Sequence, residues 1–367
     1  MLNHAHRPRF RSVAALALGL ITLASAQAQP LPDDLPRAQS LSAAQVQQVQ
    51  AFVRRNADAL KGGDSAKVQE ARNALLAPLE SGNVSVAFRL AMSEALAPEL
   101  AEIARRPDEH LAFNALRLSG ALATDAAVDI IRRALSDKRV SVRYGATLGA
   151  RLTIEAVDAK RSPLPQNQLD ALLAALKDAL RAETDPEVFG GLVAALNAVD
   201  KQRQGAANTQ ALSDLSQIVG QRLAKEDASE PEPGWARAYQ RAIGAAQEAV
   251  AKQLAGGSLD RAFARSVATA SGQALAYTAR RLNAEGELSE TERPAIRDLV
   301  ASAEFALIFI DNSIGQRQQN NRLLLDAFEA SASQGPKRFL DEAAKWVGPQ
   351  GLLTKDPYER TTFNTGR

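Results

Sequence analysis

SGNVSVAFRLAMSEAL from Ser81, PDEHLAFNALRLSGAL from Pro107, DKRVSVRYGATLGARL from Asp137 and DPEVFGGLVAALNAV from Asp185 are diverged copies of one block of about sixteen residues. The same offsets carry the same chemistry. Val84, His110, Val140 and Val188 open a helix; Phe88, Asn114, Tyr144 and Leu192 follow four residues later, and Met92, Leu118, Leu148 and Leu196 four later again. Offsets of four and eight lie on one helical face, so each block predicts a helix with one apolar stripe. A second helix follows in Asp125 to Leu135, where Val128, Ile131 and Leu135 align, and again in Gln168 to Leu180. Two helices per unit, each burying its stripe only against its neighbours, predict an all-α solenoid.

Ahead of the repeats, Pro30, Pro32 and Pro36 mark residues 29–41 as a linker. Ser42 caps a helix through Leu60, and Asp64 caps a second one bearing Val68, Ala71, Leu75 and Leu79. Residues 42–227 therefore read as a helical hairpin plus repeats. The acidic, proline-bearing stretch Lys225 to Gly234 reads as a boundary, with 228–234 as a linker. Longer helical patterns then run from Trp235 to Trp346 and predict a C-terminal helical bundle or capping helices over 235–347. Residues 348–367 lack a helical period; Tyr358 and Phe363 either pin them as an extended tail or leave them solvated. Aromatic content of only 5% fits helices packed closely through alanine and leucine.

The piece from Pro107 to Leu152 resembles HEAT repeats, particularly the short HEAT-like kind found in scaffolds and in phycobilisome-lyase relatives. Asp137, Val140, Arg143, Gly145 and Ala146 match the pattern of an acidic turn residue, a valine, an arginine and small packing residues. Asp185, Pro186 and Val188 repeat it, but Gly191 stands where the arginine belongs. The resemblance covers about a third of the chain, and the block starts are irregularly spaced at 26, 30 and 48 residues, which points to inserts such as Ala159 to Asn167 or to a false register in one unit. It implies a fold and a habit of binding other molecules, with no reaction attached.

Residues 1–28 read as a secretory signal peptide: Arg7, Arg9 and Arg11, then an apolar run from Val13 to Leu23, then Ala24-Ser25-Ala26 or Ala26-Gln27-Ala28 for cleavage. The run is short of the roughly 20 residues a membrane span needs, so the expected product is periplasmic or secreted, without stable membrane insertion. Its removal takes three arginines and no acid from a chain of net charge +2, leaving it near neutral and giving no global reason to expect nucleic acid. With no cysteine, helix packing carries the fold without disulfides.

Chemical signatures are mostly excluded. His4 and His6 leave with the signal peptide, so His110 is the one imidazole of the mature chain; it reads as a packing residue, with a lone base as the alternative. Multi-histidine zinc sites, cysteine nucleophiles and phosphate-cradling glycine loops are absent, and no cofactor or metal is expected. Carboxylates such as Glu94, Glu99, Glu109 and Asp125 read as helix faces or caps.

The one local electrostatic feature gathers Arg132, Arg133, Lys138, Arg139, Arg143 and Arg151 around the single acid Asp137. Two readings stand: a ridge that receives an acidic protein segment or polyanion, or a solvated face paired with Glu155, Asp158 and Asp129. The functional expectation is an exported, non-catalytic scaffold that binds a protein partner through its repeats. A carboxylate-based hydrolase of envelope polymers and a self-assembling envelope protein are the alternatives.

Overall fold

The computed structural model describes residues 31–62, 64–199, 206–228, 233–284, 288–315, 322–358 and 360–366; residues 1–28, the expected signal peptide, lie outside them, as do parts of both expected linkers. Among the described residues the chain is all-helical, with no strand. The helices are α1 (Ala43–Leu60), α2 (Ser65–Glu80), α3 (Val86–Ala104), α4 (Glu109–Leu122), α5 (Asp125–Ala134), α6 (Val140–Asp158) and α7 (Gln166–Ala182). They continue as α8 (Pro186–Ala198), α9 (Ala206–Lys225), α10 (Pro233–Ala255), α11 (Arg261–Asn283), α12 (Glu292–Ile310), α13 (Leu323–Gln334) and α14 (Lys337–Val347).

Local sequence starts many of these helices. Ser42 and Gln45 form a reciprocal capping box on α1, and Asp64, Ser85, Asp108, Asp185 and Asp260 each accept backbone N–H groups at the N-termini of α2, α3, α4, α8 and α11. Each such cap contributes about 1 kcal/mol.

The helices stack in two layers. One contains α1, α3, α5, α7, α9, α11 and α14, each touching the next; the other contains α2, α4, α6, α8, α10, α12 and α13. Odd helices pair with even ones across the layers, and the apolar residues between them form one continuous core from Leu35 to Phe363. This is the solenoid that the repeats predict. The stacking passes without a break across residues 226–232, through α8 on α10 and α9 on α11.

The aromatic cluster at that crossing supports the continuity. Phe189 of α8, Trp235 and Tyr239 of α10 and Tyr277 of α11 meet with ring centroids 5.2 to 6.3 Å apart. Burial, joined by the Glu226 carboxylate, pushes the Tyr239 phenol well above its ordinary range and the Tyr277 phenol up to about 12. Folding thus favours the protonated phenols. The stability they contribute is complete below pH 10, the unfolded value, and is lost as pH rises from 10 through about 12. Alkaline titration followed in the tyrosinate absorbance band should show the Tyr239 and Tyr277 phenols ionising late, together with loss of helical circular dichroism. Tyr277→Phe should remove one late step.

Three sequence expectations need correction. The block from Ser81 forms α3, in the odd layer, whereas those from Pro107, Asp137 and Asp185 form α4, α6 and α8 in the even layer, so the first block is out of register. Its Ser85 cap and Phe88–Met92 spacing fit a helix of either layer. In α6 the stripe Val140, Tyr144, Leu148 is not the core: Val140 is 45% exposed and the other two half-buried, while Val142, Ala146, Ala150 and Ile154 are buried. The third concerns His110, which is exposed, its Nε2 lying 3.3 Å from Nδ2 of the buried Asn114.

Glycine explains the offset in α6. A Cβ at Gly120 of α4 would lie 2.5 Å from the Gly149 Cα of α6, and one at Gly149 would lie 2.6 Å from the Leu116 carbonyl oxygen. The two backbones therefore touch, and α6 turns its small residues inward to allow it. From α4 to α8 the even helices pack more extensively than α5, α7 and α9 do, so the stack bends toward the even layer.

Candidate interaction surface

The six cations of the expected ridge divide into two groups. Arg139 forks onto Asp137 at 2.8 and 2.9 Å, and it also donates to the carbonyls of Ala104 at 3.1 Å and Arg106. Arg143 donates to both oxygens of Glu183 at 2.8 Å and to the carbonyls of Asp137 and Lys138. Arg132 meets Asp129 at 3.3 Å and Arg151 meets Glu155 at 3.5 Å, while the Asp158 side chain lies outside the described residues. Arg133 and Lys138 are exposed and form no ion pair among the described residues.

Electrostatics follow from this geometry. The Arg139 guanidinium holds the Asp137 carboxyl below its ordinary range. Burial alone would raise Glu183, but the Arg143 fork and the amides of Thr184 and Asp185 outweigh it, so its pKa is lowered. Glu183 has only 2% of its side chain exposed, which makes this pair a buried tie between α6 and the end of α7.

Arg139 also belongs to a recurring device. Helix C-termini leave carbonyls unpaired and carry partial negative charge. Arg106 donates to Lys61 O at the end of α1, Arg139 to Ala104 O at the end of α3, Arg222 to Glu183 O after α7, and Arg280 to Leu223 O in the last turn of α9. In each case the guanidinium comes from a later unit and closes the end of an odd helix. Arg89 serves the opposite edge: fully buried, it donates to carbonyls at Leu79, Ala121 and Leu122, and burial depresses its pKa to about 10, so it stays charged at neutral pH. Sequence reading missed Arg89, because nothing local marks an arginine in an apolar stripe as a clamp.

The inner curve presents different chemistry. Phe113 of α4 stacks on Tyr144 of α6, centroids 6.3 Å apart, and both are half-buried; Val140 and Leu148 flank them on α6. On α8 the facing positions are small: Gly191, whose added Cβ would strike Thr147, and the half-buried Ala194. A shallow apolar strip with a smooth floor results. At the other edge of the stack, open grooves of about 590 and 490 Å³ lie between α5 and α7 and between α7 and α9, where the odd helices splay apart.

Among the described residues, no group of three or more His, Asp or Glu side chains is arranged to hold a metal ion, and no helix is long and apolar enough to cross a membrane. No protein-family model matches the chain, and no curated protein matches it. Similar solved structures include an engineered protein, 15% identical, with 69% of this chain and 98% of that one covered at a TM-score of 0.36. Another set is the computationally designed armadillo repeat proteins for modular peptide recognition, 18% identical, with 70% and 99% covered at a TM-score of 0.33.

Proposed function

We infer that this protein is an exported, non-catalytic scaffold that binds a protein partner on the inner curve of its repeats. The observation that carries the reading is the Val140–Tyr144–Phe113 strip. It keeps apolar surface open to water in a helix whose other stripe is fully buried, with the 45% exposed Val140 continuous with the half-buried Tyr144–Phe113 stack. Arg133 and Lys138, in and beside the α5–α6 turn that leads into Val140, are the two ridge cations left free to meet a carboxylate. The partner segment that fits is therefore apolar or aromatic with an acidic flank. Arg132, Arg139, Arg143 and Arg151 are engaged within the fold and contribute shape more than charge. Export rests on residues 1–28, and N-terminal sequencing of the product recovered from the periplasm should begin after Ala26 or Ala28.

The test is selection of peptides from a random display library on the immobilised protein. Enriched peptides should lose at least about ten-fold in affinity, roughly 1.4 kcal/mol, with Val140→Asp or Tyr144→Ala, and a smaller factor with Lys138→Ala. Peptides indifferent to the first two substitutions would remove the inner curve as the binding surface.

A further inference from the structure

The C-terminal strap shows a second mode of recognition. After α14 the chain passes through Gly348, Gly351 and a short 3-10 turn at Leu352–Thr354, turns again where the Tyr358 amide donates to the Lys355 carbonyl, and over residues 361–366 runs along α11 with no backbone–backbone hydrogen bond of its own. It is held mainly through its backbone. Arg265 donates to Pro357 O at 2.7 Å, Arg280 to Asn364 O at 2.6 Å and Asn283 to Thr365 O at 3.4 Å, so side chains spaced along α11 hold the strap's backbone near its turn and near its end.

Two aromatic anchors fix the register. The Phe363 ring sits over Gly272, where an added Cβ would lie 2.6 Å from its Cε1 and 2.7 Å from the Leu353 Cδ1, so the glycine opens a socket that Phe363 and Leu353 share. The Tyr358 hydroxyl donates to the buried Asp311 at 2.7 Å, and the second oxygen of that carboxylate is buried without a hydrogen bond. Side-chain donors that grip main-chain carbonyls, with sockets for aromatic side chains supplying specificity, are the physical elements of a peptide-binding site. Asn364 and Gly366 line the mouth of a groove of about 430 Å³ between the ends of α9 and α11, and the α7–α9 groove follows in the same row.

We propose that the outer face of α11 is a peptide-binding site, filled in cis by the chain's own tail, which accepts in trans an extended segment with two aromatic residues five positions apart. It lies in the odd layer, away from the inner-curve strip, and stands independently of the function proposed above. A tethered occupant competes at an effective concentration in the millimolar range, so the intact tail masks the site from weaker ligands.

The probe is a fluorescent synthetic peptide of residues 355–366, KDPYERTTFNTG, followed by anisotropy against the full-length protein. Phe363→Ala in the protein, which loosens its own tail, should tighten peptide binding at least ten-fold over wild type. Adding Gly272→Ala, whose methyl fills the emptied socket and also presses on the Leu353 side chain, should abolish that gain with helical circular dichroism retained. A peptide carrying alanine at the Phe363 position should bind neither protein. Val140→Asp should leave all of this unchanged, which separates this site from the inner curve. The proposal is overturned if Phe363→Ala, with its helical circular dichroism intact, binds the peptide no better than wild type, or if the Gly272→Ala addition leaves binding undiminished.

Discussion

Replacing Gly120 by alanine should destabilise the protein by about 3 kcal/mol, although the same change at an ordinary helix glycine stabilises by up to about 1 kcal/mol through helix propensity. The sign reverses because the new methyl would meet the Gly149 backbone, at Cα, carbonyl carbon and oxygen, all within 2.9 Å. A side chain can swing aside, but a helix backbone cannot, so α4 and α6 must separate and Ile131, which packs beside Gly149, loses its neighbours. Gly244 in α10 is the internal control. Its added Cβ would meet nothing nearer than the Gln240 Nε2 at 3.5 Å, so Gly244→Ala should leave the urea midpoint unchanged or raise it. Equal midpoints for the two variants would show that the even helices are not in backbone contact.

Loss of Arg143 is the second large effect. Arg143→Met strips both guanidinium hydrogen bonds from an almost wholly enclosed carboxylate, leaving it the amides of Thr184 and Asp185 alone, and removing one partner of a buried pair costs about 3 to 5 kcal/mol. Arg133→Met, on an exposed neighbour, should stay within about 0.5 kcal/mol. The double variant Arg143→Met with Glu183→Met should recover most of the loss, since the cost lies in the stranded charge. Acid distinguishes the variants too. In the wild type the lowered Glu183 pKa contributes stability above the unfolded value near 4.5 that disappears as pH falls through the folded value. In Arg143→Met, protonating Glu183 relieves the defect, so the gap between the two proteins should narrow on acidification. A constant gap would mean that Arg143 acts by packing alone.

Much of the architecture was legible because it rests on local chemistry. Asp108 and Asp185 cap the helices whose apolar stripes follow them, and Asp137 bonds the Arg139 amide at the start of α6, so α4, α6 and α8 could be read from the chain. α3 misled because its cap and spacing suit either layer. Which face of α6 is buried was not legible, since it depends on Gly120, about thirty residues earlier, meeting Gly149 across the layer. α9 carries little patterning beyond Leu212, Leu215, Ile218 and Val219, and no repeat motif announces it.

The ridge shows the same division. Clustering of Arg132 to Arg151 was visible, and so was Asp137 beside Arg139, but the other acceptors that fix Arg139 and Arg143, the carbonyls of Ala104 and Arg106 and the Glu183 carboxylate, lie 33 to 40 residues away, where only the fold brings them near. Carbonyls carry no signature in a sequence. A guanidinium that closes a helix end therefore looks the same as one that waits for a ligand, and at Val140 the repeat spacing predicts core where the valine is 45% exposed on the inner curve.

The arginine clamps also give assembly a direction. Because the guanidiniums at Arg139, Arg222 and Arg280 are made after the helix ends they close, a chain emerging amino-terminus first always finishes on a bare rung until more of it arrives. Only when the last seam is laid along α11 is the ladder shut. Chains interrupted near residue 260 should accordingly be the ones most in need of a chaperone.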